Sequence, residues 1–141
     1  MTPFQIVILR NILIFLAIFN AACAIAPLSS GYGIEPVATL ACSILIFFLY
    51  ISGRRSRHGP ARTAVLLFLA VLTLALKFFQ IHEDGSDYVA RCDGDLNCAS
   101  MRADIVSGII LGVLVFIEIY YDRRLNRAAS SSQDIEPKEQ V

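Results

Sequence analysis

Gly53-Arg54-Arg55-Ser56-Arg57-His58-Gly59-Pro60 divides the chain into two halves of similar design. Apolar runs over about 4–26 and 35–51 lie on its N-terminal side, and runs over about 61–81 and 105–121 on its C-terminal side. Its arginines, Arg54, Arg55 and Arg57 with Arg62 just beyond, stand between stretches that carry almost no charge. The runs approach the ~20 apolar residues needed to cross the hydrocarbon of a bilayer. The pattern predicts two hydrophobic hairpins hinged on a basic loop. The expected fold is therefore an all-α integral membrane protein, a four-transmembrane-helix bundle occupying residues 1–121.

Composition points the same way. The chain is 56% hydrophobic with a formal net charge of zero, and its charges are swept into the gaps between apolar blocks. That segregation marks a membrane protein rather than a soluble helical one. A neutral balance gives no electrostatic footprint for nucleic acid. With four spans in 141 residues, no room remains for a self-contained soluble enzyme, and no catalytic set or cofactor fingerprint stands out. Small-residue spacings in Ala21-Ala22-Cys23-Ala24-Ile25-Ala26 resemble a signal-peptidase site, but no Lys or Arg precedes Arg10 and Pro27 follows directly. The segment is read as a retained span.

Taken in order, the first run ends at Pro27 and a Ser/Gly loop, and the second opens on Glu35-Pro36, an acid and a proline suited to a helix start. Gly59-Pro60 repeats that break before the third run, which Lys77 interrupts near its far end. The longest polar connection is expected over 82–104. The fourth run closes on Tyr120-Tyr121, an interfacial aromatic pair, and 122–141 reads as a polar, disordered tail. Basic residues concentrate at 53–62 and 123–127, which a four-span topology puts on one side. The positive-inside rule then places that loop and both termini in the cytoplasm, at the plasma membrane or an endomembrane.

Several constellations carry candidate chemistry. Cys92 and Cys98 fall on the non-cytoplasmic side, where an oxidising compartment favours a disulfide over free thiols or a metal site. Asp93-Gly94-Asp95-Leu96-Asn97 opens like a calcium loop, with Asp104 at its twelfth position, but Cys98 replaces the glycine of the sixth. Gly108 and Gly112 form a GxxxG that lets a partner backbone approach, from within the chain or from another copy. Arg10 and Glu118 are intramembrane charges at the same face, either paired or snorkelling separately. Lys77 could meet Asp104 or Glu35. Cys23 and Cys42 read as small buried hydrophobes. The arginines of the basic loop set topology and could also hold anionic headgroups.

The run Cys92-x5-Cys98-Ala99-Ser100-Met101-Arg102-Ala103-Asp104, leading directly into a Gly-containing last span, resembles the small fungal members of the MARVEL-type tetraspan proteins, as does Arg10 early in the first span. Claudins carry their cysteine pair and a Trp motif in the first loop, and this chain has no Trp. The resemblance implies a non-catalytic protein that organises membrane domains or assists trafficking through helix packing and lipid contacts, with membrane lipids and a membrane-protein partner or its own copies as partners. The other class open to the sequence is a small accessory subunit of a larger membrane transporter or enzyme complex.

Overall fold

The computed structural model describes residues 2–29, 34–53, 58–90 and 96–133, with side chains except those of 26–29, 35, 83–90, 96–98, 132 and 133. It is all-helical: α1 (Pro3–Ser29), α2 (Glu35–Ser52), α3 (Pro60–Ala90) and α4 (Leu96–Gln133). Three helices contain segments long and apolar enough to cross a membrane, Pro3–Ile25, Pro60–His82 and Ala99–Ser131, and α2 supplies the shorter apolar segment Pro36–Ser52. Pro36 sits in the first turn of α2, where its missing N–H leaves no bond unmade.

Each helix packs on its chain neighbours, and α4 closes back on α1; α1 and α3, and likewise α2 and α4, lie across the diagonals. The buried positions explain this arrangement. They recur at alternating intervals of three and four residues: Ile6, Arg10, Leu13, Ala17, Asn20 and Ala24 on α1; Thr39, Ser43, Ile46 and Tyr50 on α2. On α3 they are Thr63, Leu66, Ala70, Thr73, Lys77 and Gln80; on α4, Asp104, Gly108, Leu111, Val115, Glu118 and Asp122. A stripe at that spacing stays on one face of a helix, so four such stripes can close around a common axis. Outside them the surface is apolar. Phe4, Phe15, Phe48, Phe68 and Phe78 are each more than half exposed. The usual soluble arrangement is inverted, with polar groups inside and phenylalanines outside.

The helices run further than the apolar runs suggest. α3 continues to Ala90 and α4 begins at Leu96, so much of the connection expected over 82–104 is helical. α4 also runs past Tyr121 to Gln133, and the first part of the tail expected from 122 is helix rather than disordered chain. No Gly or Pro occurs between Gly112 and Pro137 to stop it. Asn126 Nδ2 donates to Asp122 Oδ2 at 3.4 Å, tying the extension back to the bundle by one turn. Pro27, read as the end of the first run, lies within the last turn of α1.

Candidate functional site: two buried polar layers

The polar side chains on the four stripes gather at two levels. The first lies at the end of the bundle where α2 meets α3. Glu118 of α4 is its hub and is fully buried. Arg10 of α1 donates through Nε to Glu118 Oε1 at 2.7 Å. Its Nη2 donates to Asp122 Oδ1 at 2.9 Å and its Nη1 to the Gly53 carbonyl at 3.2 Å. Tyr50 of α2 donates its hydroxyl to Glu118 Oε2 at 3.1 Å. His58, just ahead of α3, brings Nε2 to 3.0 and 3.1 Å from the two carboxylate oxygens. An ionised carboxylate only accepts, so Nε2 carries a proton in this arrangement. The His58 Nδ1 is buried and has no hydrogen-bond partner among the described residues. One carboxylate thus takes donors from α1, α2 and the segment entering α3.

The spacing along α4 explains why two acids converge on one arginine. Glu118 and Asp122 are one turn apart on the same face, so both reach the guanidinium of Arg10. The planar fork of arginine suits this role, because separate N–H groups can address two carboxylates and a carbonyl at once.

The second level lies in the other half of the bundle. Arg10 and Asn20 on α1 set the separation at ~15 Å, from 1.5 Å per residue. Lys77 of α3, with no exposed surface, pairs with Asp104 of α4 at 2.5 Å and donates to Thr39 of α2 at 3.1 Å. Asn20 Nδ2 of α1 lies 2.8 Å from Asp104 Oδ1 and 3.0 Å from Ser107 Oγ. Ser43 of α2 donates to Asn20 Oδ1 at 3.0 Å. Here all four helices contribute. Between the levels the stripes are apolar: Leu13, Ala17, Ile46, Leu66, Leu111 and Val115 are buried there.

Gly108 and Gly112 lie against α3. A Cβ at Gly108 would stand 2.5 Å from Lys77 Cε, and one at Gly112 would stand 2.7 Å from Leu74 Cγ. The absence of side chains there lets the Lys77 stem lie flat across α4 and reach Asp104. This GxxxG face is therefore occupied within the chain. Arg62, grouped with the basic loop, donates to the Leu49 carbonyl at 2.7 Å and to Ser52 Oγ, and so closes the C-terminal end of α2. Arg54, Arg55, Arg57 and Cys92 lie outside the described residues, as does the side chain of Cys98; the proposed disulfide and the Asp93–Asp95 loop fall there too. Cys23 and Cys42 are free thiols.

Of the candidates read from sequence, the structure joins Arg10 to Glu118 and Lys77 to Asp104; the side chain of Glu35 lies outside the described residues. Tyr50, His58, Asp122, Asn20 and Ser107 are site residues that the sequence reading does not place in either cluster. Their signal is periodicity: Thr39, Ser43 and Tyr50 share a face at helical spacing, and so do Asp104, Glu118 and Asp122. No family model, no curated protein and no solved structure matches this chain.

Proposed function

We propose that the protein is a four-span integral membrane bundle with both termini in the cytoplasm, and that it organises membrane domains or assists trafficking through helix packing and lipid contacts. The observation that carries this reading is the inverted surface. Large apolar side chains are exposed on every helix, while the intramembrane charges face inward and are engaged with one another. Buried charges committed to ion pairs hold helices together. An outer surface of Phe, Ile, Leu and Val is what lipid tails and neighbouring spans would meet. The role of α2 as a fourth span is supported by its contribution to both levels, Tyr50 to one and Thr39 and Ser43 to the other. The MARVEL-type resemblance fits this reading in layout.

A second reading, an accessory subunit of a larger membrane complex, is favoured by one feature. An apolar groove of about 370 Å³ runs between α1 and α2, with Ala17, Ala21 and Ala22 on one side and Ile44 and Phe47 on the other. Its small residues would admit another helix. Purification in mild detergent followed by mass spectrometry separates the two. Lipid-dependent self-association supports the organiser, and a partner at fixed stoichiometry supports the subunit and sinks the organiser.

A further inference from the structure

Arg123, Arg124 and Arg127 lie on the part of α4 that runs beyond the last buried residue of its stripe, Asp122. All three are exposed, and among the described residues none is in an ion pair. With Tyr120 they line an open cleft of about 430 Å³. Tyr120 is 60% exposed and sits edge-on to Tyr121, their ring centroids 5.4 Å apart. Arg62 offers no such opportunity, because its guanidinium is engaged at the end of α2.

Depth places this cleft. The α4 stripe is centred near Val113, midway between Asp104 and Asp122. At 1.5 Å per residue, Arg123 stands ~15 Å and Arg127 ~21 Å from that centre along the helix. The hydrocarbon half-thickness is ~15 Å. The guanidinium groups therefore fall from the hydrocarbon edge outward, at the level of lipid phosphates, with Tyr120 where an interfacial aromatic belongs. Planar guanidinium groups bind phosphate oxygens bidentately, and three positive charges with no ion-pair partner among the described residues call for a headgroup of net negative charge.

We propose that Tyr120, Arg123, Arg124 and Arg127 form a binding site for the phosphate of an anionic phospholipid in the leaflet that faces the two termini. The assignment rests on the membrane reading above and adds to it a defined lipid class and a defined site.

The test uses the full chain reconstituted into phosphatidylcholine vesicles with and without phosphatidylserine. Flotation is measured first, and then the lipid retained on the gently extracted protein is identified by mass spectrometry. The wild type is expected to float and to retain phosphatidylserine roughly a hundredfold more tightly than R123Q/R124Q/R127Q, from the contributions of three basic residues at the surface. R54Q/R55Q/R57Q is expected to weaken retention less than the α4 triple variant does. Inorganic phosphate at matched phosphate concentration is expected not to displace it. Retention unchanged in the α4 triple variant, or lost equally in the loop variant, overturns the site. Displacement by inorganic phosphate overturns its assignment to a lipid. A chain that does not float overturns the membrane reading and the site with it, whereas a chain that floats without lipid preference overturns the site alone. If the triple variant loses helical circular dichroism, the single glutamine variants carry the test, each expected to weaken retention roughly fivefold; unchanged retention in all three overturns the site.

Discussion

Replacing Glu118 by Gln tests whether one carboxylate ties α4 to α1, α2 and the segment entering α3. The substitution keeps the shape of the side chain but removes its charge and exchanges one acceptor oxygen for an NH2 group. In the native structure those oxygens accept from Arg10, Tyr50 and His58 at 2.7 to 3.1 Å. After the change, Arg10 keeps Asp122 at 2.9 Å and the Gly53 carbonyl at 3.2 Å, but it loses its shortest ionic contact. Removing one partner of a buried ion pair costs about 3–5 kcal/mol. The surviving Asp122 contact puts E118Q at the low end, about 3 kcal/mol. Unfolding by titration with a denaturing detergent in mixed micelles, followed by circular dichroism, measures this directly. The double variant R10Q/E118Q is expected to cost less than the sum of the two single changes, by roughly 1–3 kcal/mol of coupling. E118Q within about 0.5 kcal/mol of wild type, or strict additivity in the double variant, would refute the hub. A simple charge swap is a poorer test, because Glu at position 10 would face Asp122.

Other changes follow from the same geometry. Lys77→Met leaves Asp104 buried with only neutral partners and is expected to cost about 3–5 kcal/mol in the same unfolding assay, whereas K77M/D104N, which removes both charges, costs less than K77M alone. Tyr50→Phe removes one hydrogen bond to a charged acceptor and is expected to cost about 1.5–3 kcal/mol with no change in helix content by circular dichroism. Gly112→Ala drives a methyl into Leu74 and is expected to destabilise by about 1–3 kcal/mol while leaving the oligomeric state in sedimentation unchanged, because that face is occupied within the chain.

The outline of the fold is legible in residues 53–60 and in the apolar runs on either side. The interior is less so, and the reason is physical. Sorting the runs by composition hides the fact that Asn20, Thr39, Ser43 and Thr73 sit on the buried stripes, where few polar residues are enough to stitch a membrane bundle. Arg10 and Glu118 stand out as charges in apolar surroundings. Their partners do not, because each looks ordinary in its local sequence. Tyr50 resembles an interfacial aromatic at a span end, and Asp122 looks like the first residue of a tail until α4 is seen to continue through it. His58 reaches Glu118 only because α3 packs beside α2 and α4, a long-range consequence that no local pattern carries. Lys77 leaves two acids open as partners, and the glycine at 108 favours Asp104 by giving the lysine stem a path across α4.

The central claim is that α2 crosses the membrane with the other three helices, so that both buried levels lie within the bilayer. Single cysteines at Ser30, Ser56 and Ser130 in a background without Cys23, Cys42, Cys92 and Cys98, labelled with a membrane-impermeant maleimide in intact and in permeabilised cells, measure this. For a bundle at the plasma membrane, the account predicts that Ser30→Cys is labelled in intact cells, and that Ser56→Cys and Ser130→Cys are labelled only after permeabilisation. In an endomembrane the same contrast is read on sealed vesicles. Ser30→Cys and Ser56→Cys reacting from the same side would contradict it, because α2 would then not cross.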